Sequence, residues 1–141
     1  MALQLHALLS AVAIVLAAIA LIAALKRELG IVSGLAWPLA ATVLLHNLAG
    51  WLAYPAYRIA VKPWLLENAP LVHTLFEFKE HLAWFTIPLS IALAFSLYLE
   101  LDELEKSKSG RALVTIVSAT LMLLLLLTTV LGILVTAVRA L

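Results

Sequence analysis

The sequence predicts an all-α fold: an integral membrane four-helix bundle, a single domain over residues 1–141, with helices running up, down, up and down. Hydrophobic residues fill 65% of the 141 positions and charged residues only 12%. Mean hydropathy is +1.14, outside the range of water-soluble domains. Four apolar stretches, at about 3–25, 31–57, 70–99 and 112–138, each meet the roughly 20 residues needed to cross about 30 Å of hydrocarbon as helix. Together they use nearly the whole chain and leave no length for a soluble domain.

The first stretch lacks a basic leader, and its apolar run is too long for a signal peptide, so it is expected to be retained as a helix. His6 is its one ionisable group and reads as interfacial; the stretch ends at Lys26-Arg27-Glu28, with Gly30 and Ser33 leading into the second. That second stretch contains Pro38 and Pro55, which free the carbonyls of Gly34 and Trp51 and predict kinks or local loosening. Trp51, Tyr54, Tyr57 and Arg58, followed by Lys62 and Trp64, form an interfacial belt. Pro63 and Pro70 bracket a short connection, in which Asn68 is the expected cap of the third helix. Glu100 to Arg111 is the most hydrophilic segment and reads as a loop or as a continuation of the third helix into water. The fourth stretch holds the run Leu123–Leu127, with Ser118, Thr120, Thr128 and Thr129 able to bond their own backbone or a neighbouring helix. It offers no ligand and reads as structural.

Net charge is +1, so no general attraction to nucleic acid is implied. The absence of cysteine excludes disulfides, thiolate metal sites, iron–sulfur ligation and covalently attached haem. With four crossings, one side carries Lys26, Arg27, Lys106, Lys108 and Arg111 and the other Arg58, Lys62 and Arg139. This asymmetry places the two basic loops in the cytoplasm and both termini outside, in a prokaryotic plasma membrane.

Ionisable residues inside a membrane helix cost about 2.5–3.5 kcal/mol each near its centre, so each calls for a reason. In the third helix His73, Glu77, Glu80 and His81 stand at i, i+4, i+7 and i+8, on one face, with Trp84 and Pro88 continuing the stripe and Lys79 on another face. The second helix has a matching stripe of His46, Gly50, Ala53 and Tyr57, flanked by Tyr54. Centring the connection near Trp64 brings His46 level with His81, Gly50 with Glu77 and Tyr54 with His73. Counted from the end of the third helix near Leu99, His81 lies about 18 residues away, or roughly 27 Å.

Three functions follow from this alignment. In the first, His46 and His81 supply the two axial imidazoles of a haem b. Gly50 makes room for the macrocycle, Arg58 and Lys62 pair its propionates, and electrons pass to a lipid-soluble quinol or a partner complex. In arrangement, the chain resembles the small four-helix membrane cytochromes b, a likeness that rests on architecture and on no sequence motif. In the second, His46, Glu77 and His81 bind a non-haem zinc or iron ion, with Glu80 or His73 in support. In the third, the chain is a structural or proton-conducting subunit, acting with other membrane subunits or with copies of itself, and the stripe is a hydrated helix start.

Overall fold

The computed structural model describes residues 2–140, with side chains for residues 3–138, so the side chain of Arg139 lies outside the described residues. The described residues form five helices and no strand: α1 (Ala2–Leu25), α2 (Leu29–Ala60), α3 (Lys62–Asn68), α4 (Pro70–Lys106) and α5 (Lys108–Ala140). Four of them, all but α3, are long and apolar enough to cross a membrane. These four pack in a ring, α1 against α2, α2 against α4, α4 against α5 and α5 against α1, with short turns joining antiparallel neighbours.

On α1 the packing puts small side chains inside and large ones outside. On α1, Ala13 is 0% and Ala17 1% exposed, while Leu8 is 62% and Ile22 53% exposed. Alanines at the contact let helix backbones approach closely, which is how helices associate where lipid removes the usual hydrophobic drive. Near the turns α1–α2 and α4–α5, the core joins Ala20, Ala24, Leu29, Val32, Leu93, Leu97 and Val114. In mid-bundle it joins Ala13, Ala17, Leu39, Val43, Leu121 and Leu125. Under α3 it narrows to Val61, Leu65 and Val135.

The α1–α2 turn closes as a Schellman motif, with Arg27 N–H on Ala24 O at 3.0 Å and Glu28 N–H on Ala23 O at 2.9 Å. Arg27 takes the left-handed position, at φ 65°, which costs about 1 kcal/mol for a residue with a Cβ. Its charge and that of Lys26 face the negative end of the α1 dipole in return. At the other turn Ser107 is the N-cap of α5, its Oγ accepting Gly110 N–H at 2.7 Å. Gly110 is needed for close approach: a Cβ there would lie 2.7 Å from both Cα and O of Leu104.

The structure bears on three points of the sequence reading. The expected loop at residues 63–69 is largely the helix α3, and Asn68 ends it, donating to Trp64 O at 2.9 Å instead of capping α4. Pro70 does open α4, as predicted. The acidic segment continues α4 to Lys106 through a break at Glu100 (φ −133°, ψ 25°). Finally, α2 runs unbroken through Pro38 and Pro55.

Candidate functional site

The alanine seam between α1 and α2 ends, towards α3, in a pair of histidines. The rings of His6 and His46 stack with centroids 4.1 Å apart and planes 16° from parallel. His6 Nδ1 lies 3.0 Å from His46 O, and His46 Nδ1 lies 3.2 Å from His6 O. A carbonyl oxygen only accepts, so each Nδ1 carries the proton and donates. Both imidazoles are thereby held in the tautomer whose Nε2 is a bare lone pair. His46 is 6% exposed, and His6 is half-buried.

Gly50 permits this arrangement. A Cβ on it would lie 3.0 Å from His6 Cε1 and 3.1 Å from Nδ1, so the His6 ring occupies the space that a side chain would take. A second glycine receives a second polar group, since a Cβ on Gly132 of α5 would meet Lys79 Nζ at 3.5 Å. The Lys79 Nζ also lies 4.7 Å from the centroid of the Phe76 ring, a cation–π distance. It is within electrostatic reach of both histidines and of the Glu80 carboxylate, and it forms no ion pair at contact distance among the described residues.

Hydroxyl and amide bonds tie the same level of the bundle together. Ser10 of α1 and Thr129 of α5 share a hydrogen bond of 2.7 Å. Asn47 of α2 donates to Thr86 Oγ1 of α4 at 3.2 Å and to Val43 O at 2.9 Å. All four long helices are therefore cross-linked by polar contacts near the histidine pair, whereas the mid-bundle core is aliphatic.

The residues singled out on α4 fall elsewhere. His81 is exposed, and its Nδ1 is 2.8 Å from Glu77 O on its own helix. The Glu77 carboxylate pairs with Lys62 of α3, and His73 Nε2 is 3.7 Å away from it. That carboxylate holds the Lys62 ammonium above the ordinary lysine range. Arg58 is exposed, and Glu80 is half-buried. Tyr57 stacks on Phe76 at 4.0 Å. The Oη of Tyr57 and the Nε2 of His73 are buried without a hydrogen-bond partner. No three histidine or acidic side chains converge to hold a metal ion among the described residues.

The level-by-level alignment of α2 with α4 also shifts. Asn47 meets Thr86, Trp37 meets Phe95 and Tyr57 meets Phe76, so His46 is level with residues near 87. His81 therefore stands some six residues further towards α3, or about 9 Å along the axis. The structure pairs His46 with His6 and leaves His81 on the surface.

Sequence reasoning passed over two members of the interior cluster, His6 and Lys79. His6 was legible, because level-by-level counting across the three-residue turn Lys26–Glu28 brings His6 opposite Leu48, within two residues of His46. Lys79 carried a weaker signal, a glycine at position 132 in an otherwise bulky stretch.

Comparison with protein-family models, with curated proteins and with solved structures finds no match to the chain. Its class rests on the fold and the site: an all-helical bundle with four membrane-length helices and a bonded histidine pair between the first two.

Proposed function

We propose that the chain is an integral membrane protein that binds a metal ion at the His6–His46 pair, in the half of the bundle nearest α3. The carrying observation is the pair of reciprocal Nδ1–carbonyl hydrogen bonds. Histidines that ligate metals almost always donate the other ring nitrogen to a carboxylate, a carbonyl or water, which fixes the tautomer and aims the lone pair. The rings stack with centroids 4.1 Å apart and planes 16° from parallel, so each Nε2 would bond an ion in its own ring plane.

A bare ion suits this geometry better than haem. The notch at Gly50, read in the sequence as room for a macrocycle, is filled by the His6 ring, and His81 is turned to the surface. The deciding experiment is titration of purified, detergent-solubilised protein with metal ions, alongside a visible spectrum of protein produced with ample haem. One ion per chain is the expected result. Reduced-minus-oxidised haem bands that vanish in His81→Ala would restore the haem reading, with its quinol or complex partner.

The apolar exterior and the length of four helices support membrane insertion. The basic turns at Lys26–Arg27 and Lys106–Arg111 then face the cytoplasm, with α3 and both termini outside. Reporter fusions at Arg111 and at Glu67 should read opposite compartments, Arg111 inside; an external Arg111 would reverse the topology.

A further inference from the structure

We propose that the groove between the end of α1 and the start of α5 binds the phosphate headgroup of an anionic membrane lipid. The site rests on membrane insertion and is independent of the histidine pair.

A cavity of about 330 Å³ opens between these two helix ends, at the small end of the range of ligand pockets, about 300–1,000 Å³. Its rim holds Arg27, Lys108 and Arg111, and no acidic side chain lines it. None of the three cations forms an ion pair at contact distance among the described residues. Arg111 gives one guanidinium nitrogen to Glu105 O, which leaves its other donors for a ligand. Residues 26–28 and 100–111 carry five cations and five carboxylates, so this end of the bundle has no net charge with which to attract an anion. Segregation of the charges makes the site. Glu100 and Glu103 line a separate cavity at the α4–α5 turn, and Lys106 pairs with Glu103. Glu28, Asp102 and Glu105 are exposed and line neither cavity.

The backbone of Arg27 points the same way. It stands at φ 65°, in the left-handed position of the turn where glycine is the favoured residue. A cation is held there against local preference, and its side chain lines the groove.

The rest of the wall selects a lipid over a free anion. Leu25 of α1 and Ile116 of α5 line the cavity, and both are exposed, as are Ile22 and Leu113 one turn away from them. The groove therefore opens onto the apolar exterior, where acyl chains lie beside the helices. Basic pockets between membrane helices on the cytoplasmic side are suited to anionic headgroups, and the topology above puts this end in the cytoplasm. The Thr115 hydroxyl closes the floor, donating to Arg111 O at 2.9 Å and lying 3.5 Å from Ala24 O across the α1–α5 seam.

The test is native mass spectrometry of the full chain released from detergent micelles and titrated with phosphatidylglycerol, phosphatidylcholine and inorganic phosphate. One phosphatidylglycerol should bind per chain, about 10-fold or more tighter than phosphatidylcholine, and millimolar inorganic phosphate should not displace it. Arg27→Gly, Lys108→Gln and Arg111→Gln should each weaken it by about 5-fold. Lys26→Gln removes the same charge beside the cavity and should change nothing. Arg27→Gly should also unfold at a temperature no lower than the unaltered chain, because glycine suits its backbone position. Equal binding of the two lipids, or displacement by inorganic phosphate, overturns the proposal. So does a loss in Lys26→Gln equal to that in Arg27→Gly, which would mean a diffuse field and no built site. The lipid comparison on the unaltered chain decides even where a variant fails to fold. Extraction of the chain from membranes by alkaline carbonate would instead sink insertion itself, a result distinct from equal binding of the two lipids.

Discussion

Replacing His46 with phenylalanine is expected to lower affinity for the bound ion by about 100-fold or more, since loss of a group that merely hydrogen-bonds a ligand already costs about 10–100-fold. His46 supplies a ring nitrogen, and its main-chain carbonyl and Nδ1 hold His6 in register. Phenylalanine keeps the ring volume in a site that is 6% exposed, so the bundle should stay folded while the lone pair is lost. His6→Phe should weaken binding too, because it removes the Nδ1 donor to His46 O. His81→Ala should leave the affinity unchanged. Competition with a chromophoric chelator measures all three, and a deficit in His81→Ala equal to that in His46→Phe would return the site to the α2–α4 seam.

Gly50→Ala should be the most damaging single-methyl change at a helical glycine within the four long helices, outside the turn at Gly110. The added carbon would lie 3.0 Å from His6 Cε1 and 3.1 Å from Nδ1. The ring is held on both sides, by the Gly50 backbone and by His46 at 4.1 Å, so it cannot give way without breaking its bond to His46 O. Overpacking of this kind costs about 1–3 kcal/mol, against a helix-propensity gain of about 1 kcal/mol for alanine over glycine. Metal affinity should fall with stability. Gly34→Ala provides the contrast, since nothing lies within 4 Å of its missing Cβ, and the propensity gain should appear undiminished. Thermal unfolding in detergent compares the two, and equal shifts would mean that the His6 ring is not seated on Gly50.

The four long helices were readable because length and apolarity are properties of a continuous run, and no packing detail can mask them. The α2–α4 register was not readable in the same way. It depends on how the chain crosses between Ala60 and Pro70, and Lys62–Asn68 form a helix that moves the midpoint of the connection towards Leu66. That shift of about two residues carried His81 away from His46. The periodic stripe on α4 was real as a pattern, yet its Glu77 and His81 members face outwards to Lys62 and to their own backbone. A helical stripe fixes which residues share a face, and only contact with neighbours fixes where that face points. The contact of His6 was missed for a related reason: its nearness to the start of α1 suggested headgroups, while the short first turn already placed it within two residues of the level of His46.

That first turn has a mechanical consequence. The Schellman closure at Ala23–Glu28 leaves no slack between α1 and α2, and the histidine pair sits about 28 Å away, near the start of α1 and the middle of α2. The hairpin behaves as a pair of calipers whose jaws are the two imidazoles and whose pivot is locked. One residue inserted at the pivot would turn α2 by about 100° and advance it by about 1.5 Å, swinging His46 off its mate although nothing near either ring had changed. The spacing at the jaws is thus set by three residues, Lys26, Arg27 and Glu28, that never come near them.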